Sequence, residues 1–258
     1  MSQAPATQNT PTAPALPAPD PARGLLETLL VLDGEPVALA AHLERLAASL
    51  RELFGAGLPA GLAAEVAREA RPLALGRMRI DVDPAGAETT LKSQAVDPAD
   101  FFPSRERGAA LRSVRADGGL GRHKWADRRP LGEAAGAPVP LLLDRGDEVL
   151  EAGRANVFAV VDQVLVTPAA DGRILSGTAR AAAIAIAREQ GIEVRERYLG
   201  REEMFGGEEV FLTGSVRGVE PARSLDGIEL PAGTALGRRI GSELRRRWRT
   251  GRLAAAGS

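Results

Sequence analysis

The sequence predicts a two-part α+β fold, with a small N-terminal α+β unit followed by a larger, strand-rich unit. Three observations carry that reading. Two short apolar runs around Asp33-Gly34 are followed by apolar residues at helical spacing. The segment DFFPSRERG, residues 100–108, has the proline, charges and glycine of a linker. Beyond it, short apolar runs recur and one long alanine-rich stretch interrupts them.

Residues 1–22 contain six prolines, with no basic n-region and no uninterrupted apolar core. No secretory signal is read there, and a disordered tail of polyproline character is expected. LLETLLVLDGEPVAL then reads as a β-hairpin, because Asp-Gly is the pair that type I′ turns prefer. AAHLERLAASLRELFG has the spacing of an amphipathic helix with Gly55 as its C-cap. A second helix, roughly 59–71, leads into the strand-like RMRIDVD.

After the linker, PLLLD, EVLEA, NVFAVVD and QVLVTP read as strands, the last two joined by a tight turn at Asp162-Gln163. ARAAAIAIAREQG, residues 179–191, is a helix ending at Gly191. IEVRERYL and EEVFLTGS supply further strands, and a basic helix near 233–249 closes the chain. The expected division is a tail at 1–22, a first domain at 23–103, a linker at 104–108 and a second domain at 109–258.

The formal charge is −1, which argues against a general polyanion-binding surface. No apolar run approaches the roughly eighteen residues that span a bilayer. The arginine-rich last helix reads as a solvated face, because no aromatic stacking platform accompanies it. No nucleic-acid or membrane partner is expected, and a cytoplasmic address follows. Cysteine is absent, which excludes disulfides, thiolate nucleophiles and cysteine-metal sites. His42 and His123 are the only histidines, so a histidine metal centre is not expected either.

Of 33 basic residues only Lys92 and Lys124 are lysines. A guanidinium stays protonated, whereas a desolvated amine can lose its proton near neutrality and attack an aldehyde carbon. Lys124 lies in HKWADRR, 27 residues before Glu151 of EVLEAGRANVF.

Read in order, LLETLLVLDGEPVALAAHLERLAASL, HKWADRRPL, EVLEAGRANVFAV, ILSGTAR and EEVFLTGSVRGVEP resemble the class IV aminotransferases, the fold-type IV pyridoxal-phosphate enzymes. The resemblance implies a two-domain enzyme with pyridoxal 5′-phosphate as cofactor. Lys124 matches the lysine that tethers the cofactor and shuttles a proton at the substrate α-carbon. Glu151 matches the partner of the pyridine nitrogen. Arg45 matches the family's phosphate arginine, and the backbone of Thr178 and Ala179 at a helix start implies an anion cradle. Ser215 matches a hydroxyl that also meets the phosphate. Asn156 is expected to order the turn near Glu151.

Four departures accompany the match. LSGTAR places its hydroxyl at 178, with Ala179 at the usual threonine position, and Leu26 stands where several relatives have an aromatic residue. The R-G-x-x-x-G-D-G element is replaced by the proline-rich tail, and the segment between Lys124 and Glu151 is short. The LLETL start, the HLERLAAS helix and the FLTGSVRGVEP ending resemble the 4-amino-4-deoxychorismate lyase branch. That implies release of 4-aminobenzoate and pyruvate for folate synthesis. The alternative is transfer of an amino group to a 2-oxo acid, and a non-catalytic paralogue is a third reading. Thr28, Arg154 and Arg217 are the candidate substrate contacts, and Arg122 and Arg128 flank Lys124 as further candidates. Relatives are homodimers, so the resemblance implies one here.

Overall fold

The computed structural model of the chain describes residues 16–86, 88–132, 136–232 and 235–251. Two sheets organise it. Strand β1 (Leu25–Leu32) turns through Asp33 and Gly34, both at positive φ, into the short β2 (Glu35–Pro36), the type I′ geometry that Asp-Gly favours. Helices α1 (Leu39–Phe54) and α2 (Leu62–Ala70) follow, then β3 (Leu75–Val82) and β4 (Thr89–Ala95), giving the antiparallel order β2-β1-β3-β4. Gly55, at φ 66°, caps α1 with its N–H on the Arg51 carbonyl.

Side-chain alternation decides what each face of this sheet does. Leu25, Leu29 and Val31 of β1 and Met78, Ile80 and Val82 of β3 pack with Leu46, Leu50, Leu62 and Val66 of the two helices. Each such leucine, removed from water, contributes roughly 1.5–3 kcal/mol. The opposite face carries Leu26, Thr28, Arg77 and Arg79, with Thr28 directly across from Arg79. Leu30 and Leu32 on that face join the core of the second sheet. Strand β1 is therefore buried on both sides.

The second sheet contains β5 (Ala109–Arg115), β6 (Val139–Asp144), β7 (Glu148–Ala152), β8 (Asn156–Val161) and β9 (Val164–Thr167). Helix α3 (Thr178–Glu189), β10 (Val194–Glu196), α4 (Arg201–Gly206), β11 (Glu209–Gly214), β12 (Gly218–Leu225), β13 (Ile228–Glu229) and α5 (Leu236–Thr250) complete it. Its order is β10-β9-β8-β11-β12-β5-β6-β7, with β13 beside β12. Asp162 and Gln163, both at positive φ, make the β8–β9 turn. Helices α3 and α5 cover one face, where Phe158 and Phe211 stack at 5.2 Å among Ile184, Ile186, Leu244 and Trp248. Leu199 and Met204 cover the other.

Several elements differ from the sequence expectation. Strand β5 was not expected; it runs parallel between β12 and β6, where polar residues alternate with Leu111 and Val114. The strand expected over IEVRERYL is only Val194–Glu196, because the chain leaves the sheet edge after pairing with β9 and enters α4. In the linker-like segment, Phe101 and Phe102 pack edge-on against each other, and against Trp248 of α5 Phe101 stacks while Phe102 meets it edge-on. On α5, Arg245 and Arg249 lie over the Phe101 ring, and Arg246 and Arg247 pair with Glu243. Arg252 lies outside the described residues.

Residues 1–15 of the expected disordered tail also lie outside the described residues. From Leu16 onward the expectation of disorder does not hold. The Leu16 N–H donates to the Arg115 carbonyl, the Asp20 N–H donates to Asp127, and the Asp20 carboxylate caps a short turn at Pro21–Arg23. Among the described residues no helix is long and apolar enough to cross a membrane, and no group of histidine, aspartate and glutamate side chains could hold a metal ion.

Candidate active site

A cavity of about 500 Å³ opens between the polar face of β1–β3 and the ends of β7, β8 and β11. Into it come Lys124, Glu151, Arg45, Ala179, Ser215, Thr28, Arg154 and Arg217, so eight of the nine candidate residues line one space. The ninth, Thr178, stands behind the wall, its hydroxyl 3.0 Å from that of Ser215, which lines the cavity. Lys92 lies elsewhere, exposed on the edge strand β4.

Lys124 is positioned by backbone. The Leu26 N–H donates to the Lys124 carbonyl at 2.8 Å and the Ala126 N–H donates to the Gly24 carbonyl, which zips the lysine segment onto the start of β1. The Trp125 indole N–H donates to the Leu120 carbonyl and fixes the preceding loop. Desolvation lowers the Lys124 amine to about 8, with the Arg45 and Arg128 charges adding to it and Glu27 and Glu151 opposing. Such an amine is partly unprotonated near neutrality, which a nucleophile or proton carrier requires.

Glu151 stands at the end of β7, nearly buried, and one carboxyl oxygen accepts the Leu175 N–H at 3.2 Å. Burial pushes this carboxyl up to about 7, against the pull of Leu175, Lys124 and Arg128. A cation brought beside it would restore its charge. Asn156, at the start of β8, donates to the Leu175 carbonyl, so Glu151 and Asn156 together hold the stretch leading into α3. Gly177 is required at the start of that helix, because a Cβ there would lie 2.1 Å from Asn156 Oδ1.

Arg45 has a partner that sequence reasoning missed. Its guanidinium meets the buried Glu27 fork-on-fork, through Nε and Nη2 at 2.8 Å each, and its Nη1 donates to the Ser176 carbonyl at 2.8 Å. The first sheet is thereby fastened to the loop before α3. His42, one turn earlier on α1, also meets Glu27 at 2.8 Å. Burial alone would raise Glu27, but the hydrogen bond from His42 and the charge and hydrogen bonds of Arg45 hold it at about 2. Removing the carboxylate strands a guanidinium, so Glu27→Ala should cost about 3–5 kcal/mol in a urea titration. A loss below 1 kcal/mol would show that the pair is not the clamp described.

Arg154 and Arg217 converge on Glu220, also missed and also buried. Arg154 grips it with two hydrogen bonds of 2.8 and 3.0 Å, and Arg217 Nε lies 3.0 Å away. Arg217 also pairs with Asp100 at 2.9 Å. Arg122 faces Glu52, away from the cavity, while Arg128 lines it and donates to the Gly153 carbonyl. His123 lines the cavity 3.0 Å from the Ser49 hydroxyl. Arg77, Arg79, Gln94 and Thr213 were missed as well. The alternation in GRMRIDV was the available signal for the two arginines, since it sets them opposite Met78 and Ile80.

Residues 132–225 match the family model described as amino-transferase class IV. Through that segment the chain is similar to the class IV aminotransferases. The branched-chain-amino-acid aminotransferase of Escherichia coli is 41% identical over 93 residues, which is 36% of this chain and 30% of that enzyme. The chain thus aligns with less than a third of the curated relatives' length. A hypothetical aminotransferase from Mycobacterium tuberculosis in its PLP-bound form matches at TM-score 0.74 and 25% identity, over 94% of this chain and 96% of that one. The 4-amino-4-deoxychorismate lyase of Pseudomonas aeruginosa has the same fold, at TM-score 0.70 and 24% identity, over 94% and 96% of the two chains.

The residues present fit pyridoxal 5′-phosphate. An amine with lowered pKa suits its aldehyde, and a carboxyl raised by burial suits its ring nitrogen. For the phosphate there are Arg45, the Thr178 and Ser215 hydroxyls, and the first turn of α3, whose Gly177 cap supplies no side-chain acceptor for the free N–H groups. Thr213 adds a buried hydroxyl on the cavity wall with no hydrogen-bond partner. The usual threonine position is filled by Ala179, and the structure turns the neighbouring Thr178 hydroxyl toward Ser215 instead.

Proposed function

We propose that the chain binds pyridoxal 5′-phosphate and acts at the α-carbon of an amino-acid-like substrate, as a 4-amino-4-deoxychorismate lyase giving 4-aminobenzoate and pyruvate. The observation that carries this is the pairing in one cavity of Lys124, an amine lowered to about 8, with Glu151, a carboxyl raised to about 7. When bound, the cofactor supplies an electron sink for charge developing at the α-carbon. Lys124 tethers it and then carries the α-proton. Glu151 keeps the ring nitrogen protonated, while Arg45, Ser215, Thr178 and the α3 backbone hold the phosphate. The cavity wall is rich in arginine, with Arg77, Arg79, Arg128, Arg154 and Arg217, which suits a substrate bearing two carboxylates.

An aminotransferase is the second reading, supported by the 41% identity over 93 residues to a branched-chain enzyme and by the class IV family match at residues 132–225. A coupled assay with aminodeoxychorismate tests the first: 4-aminobenzoate should accumulate, and its absence from protein with bound cofactor rejects the lyase. Conversion to the pyridoxamine form by a particular amino acid would establish the second. The same reading includes a homodimer, a boundary between domains at 104–108, a cytoplasmic address and a role in folate synthesis. Sedimentation of the purified chain checks the first of these.

A further inference from the structure

The Thr178 and Ser215 hydroxyls belong to a longer chain of polar contacts that is buried at its His42–Glu27 end. Thr178 Oγ1 lies 3.0 Å from Ser215 Oγ and 3.4 Å from His42 Nε2, and His42 Nδ1 lies 2.8 Å from Glu27 Oε2. Four separate pieces of the fold supply these groups: β1, α1, the start of α3 and the turn after β11. His42 is only 1% exposed, so water does not compete for its ring.

The ionised Glu27 carboxylate can only accept, which places a proton on His42 Nδ1. The direction of the remaining hydrogen bonds then depends on Nε2. A bare Nε2 accepts the Thr178 O–H, and the Thr178 oxygen in turn accepts the Ser215 O–H. Both hydroxyl protons then run inward, away from an anion in the cavity. A protonated Nε2 reverses the order: it donates to Thr178, Thr178 donates to Ser215, and the Ser215 O–H is free to point at the anion.

The charges facing His42 come from three elements. Glu27 of β1 favours the imidazolium, whereas Arg45 of its own helix and Lys124 of the loop after β5 oppose it. Helix α3 and the β11–β12 turn present uncharged hydroxyls. Burial, the largest influence, holds the ring below its ordinary pKa, so at neutral pH Nε2 is bare until an anion arrives.

We propose that His42 is a positioning residue for phosphate capture: it takes up a proton as the phosphate group binds, and turns the Thr178–Ser215 hydroxyl pair outward to donate to it. The proton comes from solvent or from the phosphate monoanion. This rests on the cavity being a pyridoxal-phosphate site, as argued above.

The test compares pyridoxal phosphate with pyridoxal, which lacks the phosphate, by titrating the full chain and following visible absorbance. The ratio of the two dissociation constants isolates the phosphate contribution. Loss of one charge-assisted contact should reduce the preference for the phosphate form about tenfold in His42→Gln, Thr178→Val and Ser215→Ala alike. Because the three act in series, the His42→Gln/Thr178→Val double variant should lose about tenfold rather than a hundredfold. Between pH 8.5 and 7 the wild-type preference should grow, while that of His42→Gln stays flat.

A purely structural His42 would weaken both ligands equally and leave the ratio unmoved, which overturns the proposal, as does a multiplicative double variant. If His42→Gln does not fold, Thr178→Val combined with Ser215→Ala carries the same expectation. Wild-type protein that binds neither ligand rejects the functional reading together with this one. Binding of both with an unmoved ratio rejects only the role of His42.

Discussion

Lys124→Ala is expected to lower turnover on the order of a thousandfold or more, because it removes both the tether and the proton carrier. The fold should survive. The segment is held by backbone hydrogen bonds from Leu26 and Ala126, and the lost side chain is a desolvated amine that costs free energy to keep charged. Borohydride reduction of the wild type, followed by peptide mapping, should place the cofactor on Lys124, and the alanine variant should take up none covalently. Label on Lys92, or activity retained within tenfold in Lys124→Ala, would remove the lysine from the chemistry.

Glu151→Gln should separate stability from activity. In the folded chain this carboxyl holds its proton up to about 7, against the ordinary glutamate value of 4.5. Its stabilising protonated form is fully present below pH 4.5 and is lost as the pH rises through 7, because the unfolded chain ionises earlier. The amide cannot ionise, so without cofactor the variant should match the wild type at pH 4.5. By pH 8 it should exceed the wild type by up to about 3 kcal/mol. Turnover should fall on the order of a hundredfold, since an amide does not keep a ring nitrogen protonated. Thermal melts at the two pH values and a steady-state assay read both effects. A stability gap independent of pH, or unchanged turnover, contradicts the assignment.

Much of the architecture was legible from local chemistry. The Asp33-Gly34 turn, the α1 spacing with Gly55 behind it, and the Asp162-Gln163 turn each follow from residues within a few positions of one another. Strand β5 was not legible, because its neighbours β12 and β6 come from far along the chain and AALRSVR has no apolar run of its own. Lys124, Glu151, Arg45 and Ser215 could be picked out because each sits in a motif of fixed order. Their partners could not. Glu27 and Glu220 gain meaning only when α1 and the β7–β8 turn bring arginines to them across 18 and 66 residues of sequence. One clue was present: Glu27 is the only charged residue in a strand buried on both faces, and a charge there demands a partner.

The placement of the two lysines gives the mapping experiment a simple arithmetic. Lys92 lies on the outer edge of β4 and Lys124 on the cavity wall, with no other lysine anywhere in the sequence. A lysine-specific protease acting on the denatured chain therefore yields three fragments: 1–92, 93–124 and 125–258. A reduced adduct on Lys124 blocks the second cut and fuses the last two into 93–258, whereas an adduct on Lys92 fuses the first two. The number and mass of the bands on a gel would then name the modified residue before any peptide is sequenced.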